Sequence, residues 1–212
     1  YQDYATYFVK WVQAFNAEGI DIYAVTPQNE PLNRGNSASL YMSWEEQRDF
    51  VKTALGPKFK TAGLATKIYA YDHNYDYSDI ATEKNYPGKM YEDATASQYL
   101  AGAAYHNYGG NREELLNIHK AYPEKELLFT ETSIGTWNSG RDLSKRLLED
   151  MKEVALGTIN NWCRGVIVWN LMLDNDRAPN REGGCQTCYG AVDISNSCLL
   201  YTSPSPRDRS LS

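Results

Sequence analysis

The first nineteen residues carry a helical rhythm: Tyr4, Tyr7, Phe8, Trp11, Val12 and Phe15 fall three or four positions apart, and Gly19 is placed to end the helix. The rhythm then changes. "IDIYAVT" (20–26) is short, mostly apolar and β-branched and reads as a buried strand. A helix is predicted over about 43–55, where Ser43 and Glu46 make a capping box and Gly56-Pro57 marks the end. "TKIYAY" (66–71) reads as a second strand, followed by a long polar stretch and a short helix at about 94–100. "GAAYHNY" (102–108) is a third strand, "NREELLNIHKAY" (111–122) a helix and "ELLFTE" (126–131) a fourth strand. Leu143, Leu147, Leu148, Met151, Val154 and Ala155 mark one apolar face of a further helix, and "GVIVWNLML" (165–173) reads as a fifth strand.

Strict alternation of helices with nearly continuous apolar strands predicts an α/β fold with a parallel sheet, either doubly wound or a TIM (β/α)8 barrel. The polar residues decide between them. Asn29 and Glu30, Asp72 and His73, His106 and Tyr108, Glu131, and Trp169 and Asn170 all fall at or just past C-terminal strand ends. Functional-looking groups on one rim of five successive strands are the barrel arrangement. A nucleotide-binding sheet would show a Gly-rich turn, and neither G-x-G-x-x-G nor G-x-x-x-x-G-K-[ST] occurs. A complete barrel has eight strands, so the expectation is a partial one.

Composition narrows the partners. A formal charge of −6 and a pI near 5.1, with no Lys/Arg run, argue against nucleic acid. No apolar stretch has transmembrane length. The 17 Tyr and 5 Trp suit core packing, and those near strand ends suit stacking on a sugar-like ligand. No H-E-x-x-H or Cys/His cluster of metal-site spacing occurs, so neither metal nor cofactor is expected.

Glu30 and Glu131 are carboxylates at strand tips about a hundred residues apart. Two carboxylates across a barrel mouth are what glycosidic cleavage needs, one giving a proton to the leaving oxygen and one acting as nucleophile or base. Solvated or ion-paired loop residues are the plainer reading of either one. His106, beside aromatics, reads as a sugar contact or a core histidine; His73 divides evenly between the two; His119 reads as helix surface. Cys163, beside Trp162, reads as a buried free thiol.

"TPQNEP", "HNY", "FTETS" and "VIVWNLMLDN" together, in this order and spacing, resemble glycoside hydrolase family 30 over residues 1 to about 197. The resemblance implies a retaining β-glycoside hydrolase acting on β-1,6-glucan or glucosylceramide, with Glu30 as acid/base and Glu131 as nucleophile. It implies sugar contacts from Asn29, His106, Tyr108 and Trp169, and Asp72, on the same rim, is taken as a further substrate contact. A non-catalytic carbohydrate-binding barrel is the alternative. The five strands would then be barrel strands 4 to 8, with strands 1 to 3 and the family's C-terminal β-sandwich missing, and such a fragment is expected to be inactive. Secretion, or a periplasmic or cell-surface location, is expected of the parent, with its signal peptide in the missing part, and Cys185 and Cys188 of "CQTC" then read as a local disulfide. Residues 198–212, "CLLYTSPSPRDRSLS", break the preceding composition and look like a translated sequencing adapter, so residues 1–197 are taken as the barrel segment and 198–212 as an artefactual tail.

Overall fold

The computed structural model describes residues 1–35, 39–137, 140, 142–180, 182, 184–195 and 198–202. The chain forms two compact units, one of residues 1–130 with 157–166 and the other of residues 131–156 with 167–212.

The first unit holds the main sheet. Strands β1 (Ala24–Val25), β2 (Lys67–Asn74), β3 (Leu100–His106), β4 (Glu126–Glu131) and β5 (Cys163–Val166) lie side by side in chain order. β1 pairs with β2, β2 with β3 and β4 with β5 in parallel. A doubly wound sheet reverses its strand order at a switch point. Here the order never reverses, so each crossover steps the same way, and the fold is a partial TIM barrel. Tyr69, Tyr71, Tyr105 and Phe129 are wholly buried in the core of this unit. Gly102 allows β3 and β4 to approach, because a Cβ there would run into the backbone of Glu126.

Helix α1 (Gln2–Ala17) ends as the pattern predicts, with Gly19 left-handed at φ 78° and its N–H donating to Asn16 O. Its predicted apolar face is less buried than expected: Ala5 and Val12 are enclosed, whereas Tyr7, Trp11 and Phe15 are exposed. Tyr4 stacks on Phe50 at 5.1 Å between ring centroids. Helix α2 (Trp44–Phe50) opens on the predicted capping box, Glu46 N donating to Ser43 Oγ and Ser43 N to Glu46 Oε2.

Gly56-Pro57 does not stop this helix. A π-helical turn (Val51–Leu55) carries it into α3 (Gly56–Thr61), with Gly56 N donating to Val51 O. Pro57 has no N–H to offer Thr53 O, and the Gln2 side-chain amide bonds that carbonyl instead, at 3.0 Å. The predicted helix at 94–100 forms only as α5 (Ala94–Ser97), since the chain is already in β3 by Leu100, and α4 (Tyr86–Glu92) lies in the stretch read as a polar loop. Asp93 caps α5, accepting from Thr95 N and Ala96 N, and pairs with Lys52 at 2.8 Å. Helix α6 (Glu113–Ala121) falls within the predicted 111–122 and buries Leu115 and Ile118.

The second unit contains α7 (Leu143–Glu149), a π-helical turn (Asp150–Ala155) and a small sheet of β6 (Met172–Asp174), β7 (Val192–Ser195) and β8 (Cys198–Thr202). Helix α8 (Leu156–Ile159) runs on from the π turn into the first unit. The predicted strand at 165–173 is two strands, β5 and β6, in different sheets. Its apolar run could not reveal the break, since Ile167, Val168 and Leu171 between the two strands are exposed. On the predicted apolar helix face Val154 is buried, but Leu147, Leu148 and Met151 are exposed. Within the expected tail, Cys198–Thr202 form β8, antiparallel to β7, and residues 203–212 lie outside the described residues.

Candidate active site

Glu30 stands in the loop after β1, and that loop is held from beneath. Gln28 is buried: its Nε2 donates to Tyr4 Oη at 2.9 Å, while its Oε1 accepts from Leu40 N at 2.8 Å and Ser39 Oγ at 3.1 Å. Tyr4 Oη donates to Pro27 O at 2.7 Å, and Met42 N donates to Pro31 O at 2.9 Å, so both prolines are tied to fixed elements. Glu30 itself has φ 49°, the left-handed region that a side chain adopts only when its surroundings compel it. Two backbone bonds compel it: Glu30 N donates to Asp72 O and Asn33 N donates to Glu30 O, both at 2.9 Å.

The Glu30 carboxylate meets Asn33, His106 and His73. Asn33 Nδ2 donates to Oε2 at 2.9 Å, His106 Nδ1 lies 3.3 Å from Oε1, and His73 Nε2 lies 4.0 Å from the same oxygen. Burial pushes the Glu30 carboxyl upward, but hydrogen bonds with His106 and Asn33 outweigh it and leave the group below the usual carboxylate range. His73 is buried, and burial pushes it down to about 4, so its ring is neutral at neutral pH.

His106, at the end of β3, is fully buried, and its Nε2 lies 3.0 Å from Asp72 Oδ1. Asp72 also accepts from Thr26 Oγ1 and Thr130 Oγ1, both at 2.6 Å. Burial raises the Asp72 carboxyl, yet the bonds with His106, Thr130 and Thr26 carry it below its ordinary value. Asp72 was expected past the end of a strand and in reach of a sugar. Instead β2 extends to Asn74, and Asp72 is buried with its carboxylate oxygens facing Thr26, Thr130 and His106.

The first unit therefore gathers Glu30, Asp72, His106 and Tyr108. Tyr108 is about half exposed, its ring 6.2 Å from that of His106, and its N–H donates to Asn74 Oδ1. Asn29 is exposed beside Glu30, with its carbonyl accepting from Ser39 Oγ. Glu131 and Trp169 belong to the second unit. There Glu131 closes β4, Trp169 N donates to Thr132 O at 2.8 Å, and Ser133 bridges Trp169 in parallel. Trp169 also lines a largely apolar cavity of about 310 Å³ with Thr132, Ile134, Val154 and Tyr189. Cys185 and Cys188 are disulfide-bonded with Cα atoms 5.7 Å apart, and Cys163 is a buried free thiol.

Sequence reasoning missed Thr26, Asn33, Gln28 and Thr130. The signal available was position: Thr26 and Thr130 each occupy a strand end beside a candidate carboxylate, and Asn33 follows Glu30 by one turn.

A parallel sheet in unreversed strand order, with a left-handed glutamate past β1 and a histidine at the end of β3 held between two carboxylates, defines the class as a partial TIM barrel. The sequence model described as "Glycosyl hydrolase family 30 TIM-barrel domain" matches residues 1–194, and the chain belongs to that family. It is 36% identical over 200 residues to an endo-1,6-β-D-glucanase of Trichoderma harzianum, covering 91% of this chain and 37% of that protein. It is 24% identical over 204 residues to the lysosomal acid glucosylceramidase of Mus musculus, covering 85% of this chain and 36% of that protein. The solved structure of the endo-β1,6-glucanase BT3312 superposes with a TM-score of 0.92 at 86% identity, covering 95% of this chain and 45% of that one. The chain thus spans less than half the length of the relatives it matches.

Proposed function

We propose that the protein containing this chain is a retaining β-glycoside hydrolase that cleaves β-1,6-glucan. The observation that carries the reading is the locked Glu30 of the "NEP" segment, in a chain 86% identical to a solved endo-β1,6-glucanase. In the proposed double displacement Glu131 attacks the anomeric carbon, and Glu30 protonates the departing glycosidic oxygen. Glu30, left as a carboxylate, then takes a proton from the water that releases the sugar from Glu131. Asn29, exposed beside Glu30, bonds a sugar hydroxyl, Tyr108 and His106 line the subsite, and Trp169 supplies an apolar wall.

Glucan is favoured over glucosylceramide by the ordering of the relatives: three fungal endo-1,6-β-glucanases at 32–36% identity stand above the mouse glucosylceramidase at 24%. The Cys185–Cys188 disulfide supports a secreted, periplasmic or cell-surface location, because such bonds persist in oxidising compartments. A five-stranded sheet does not close a barrel, so the 212-residue chain alone is expected to be inactive. We assign residues 198–212 no part in the activity.

The full-length protein tests the mechanism. A 2-deoxy-2-fluoro-β-glucoside with a good leaving group should leave one sugar on Glu131, located by peptide mass spectrometry, and Glu131→Gln should abolish both labelling and hydrolysis of β-1,6-glucan. Absence of labelling, with glucan hydrolysis intact in Glu131→Gln, overturns the assignment. Binding of glucan with no turnover would favour a carbohydrate-binding barrel instead.

A further inference from the structure

We infer that Asp72 is a positioning residue for the acid/base step: it clamps Glu30 twice, once through the backbone and once through His106, without itself meeting substrate. The inference rests on the reading of Glu30 as the acid/base.

The first clamp is Asp72 O, which accepts from Glu30 N at 2.9 Å and so helps hold Glu30 at φ 49°. The second is Asp72 Oδ1, which lies 3.0 Å from His106 Nε2, while Nδ1 of the same ring lies 3.3 Å from Glu30 Oε1. Each ring nitrogen of His106 thus faces one carboxylate oxygen, so the ring links Asp72 to Glu30. Thr26 and Thr130 keep the Asp72 end of this chain in place by donating to its two oxygens.

The backbone around Asp72 is shaped for this task. Tyr71 and Asp72 have φ of 74° and 71° inside a strand, and the register of β2 on β3 slips between Tyr71 and His73. Such a bulge re-aims a side chain that regular pairing would have placed elsewhere. Two non-glycine residues in the left-handed region are costly, and the bonds that the bulge allows offset that cost. Other groups of the first unit at this site include His73, its ring 6.4 Å from that of His106 and its Nε2 4.0 Å from Glu30; Tyr108, 6.2 Å from His106; and Asn33 on Glu30. Glu30 must lose and regain one proton per turnover, and a ring whose far nitrogen is anchored to Asp72 keeps its geometry through both states.

The test uses the full-length protein and two substrates, β-1,6-glucan and a 2,4-dinitrophenyl β-glucoside, whose leaving group needs little proton assistance. Asp72→Asn keeps the shape and removes the charge. It is expected to lower kcat/KM on the glucan about 100-fold and on the dinitrophenyl glucoside less than about 10-fold. The basic limb of the kcat/KM profile should move, because the charge facing the far nitrogen of the ring that meets Glu30 is removed. Thr130→Val, which removes one donor to Asp72, should give the same pattern more weakly, and it decides the matter if Asp72→Asn does not fold. Equal losses on both substrates with unmoved limbs, or no loss, overturn the inference. Glu30→Gln separates the underlying reading: it should spare kcat/KM on the dinitrophenyl glucoside and abolish glucan cleavage, and normal glucan cleavage would overturn the acid/base assignment itself.

Discussion

Replacing His73 with Phe is expected to flatten the acid side of the protein's stability profile. His73 is 2% exposed, its Nδ1 is buried without a hydrogen-bond partner, and burial pushes its pKa from 6.5 to about 4. The unfolded chain takes up a proton near pH 6.5, whereas the folded protein resists it until about pH 4. Protons therefore favour unfolding across that window: the stability from a neutral His73 is complete above pH 6.5 and is lost as the pH falls toward 4. From these two values the loss at pH 5 relative to pH 7.5 is about 2 kcal/mol, roughly a 30-fold change in the folding constant.

Phe suits the site because it keeps a ring against Tyr71, 5.8 Å away, and removes the unpaired nitrogen. Urea unfolding at pH 7.5 and pH 5.0, on the protein and on His73→Phe, reads the difference directly. The unsubstituted protein should lose about 2 kcal/mol more than the variant between the two conditions. Parallel losses would mean that His73 accepts a proton as easily folded as unfolded, and the argument from burial would be wrong.

Gln28→Ala leaves Leu40 N and Tyr4 Oη without their buried partner and should cost about 1–3 kcal/mol by thermal or chemical unfolding. Because the same loop carries Glu30, glucan hydrolysis by the full-length protein should fall by more than the unfolded fraction explains. Cys163, buried and with its thiol pushed up to about 12, should resist iodoacetamide at pH 8 in the folded protein and react once urea exposes it, as followed by mass spectrometry.

The barrel class was legible because strand patterning and rim placement are local properties: an apolar run with a polar tip announces itself whatever it packs against. The capping box at Ser43 and the helix end at Gly19 were legible for the same reason, since each is complete within a few residues. Gly56-Pro57 misled because the bond that compensates for the proline comes from Gln2, more than fifty positions away. The 165–173 run misled because continuous hydrophobicity carries no mark of where a chain leaves one sheet for another.

By itself the sequence determined which carboxylates and histidines lie at or near strand ends. Only the tertiary structure decided which of them meet. Glu30 follows β1, Asp72 lies inside β2 and His106 ends β3, and they are joined by distances of 3.0 and 3.3 Å that no spacing along the chain encodes. A carboxylate at a strand tip reads the same whether it faces a ligand or anchors a histidine; burial and the bulge at Asp72 separate the two, and both arise only when the strands are laid side by side.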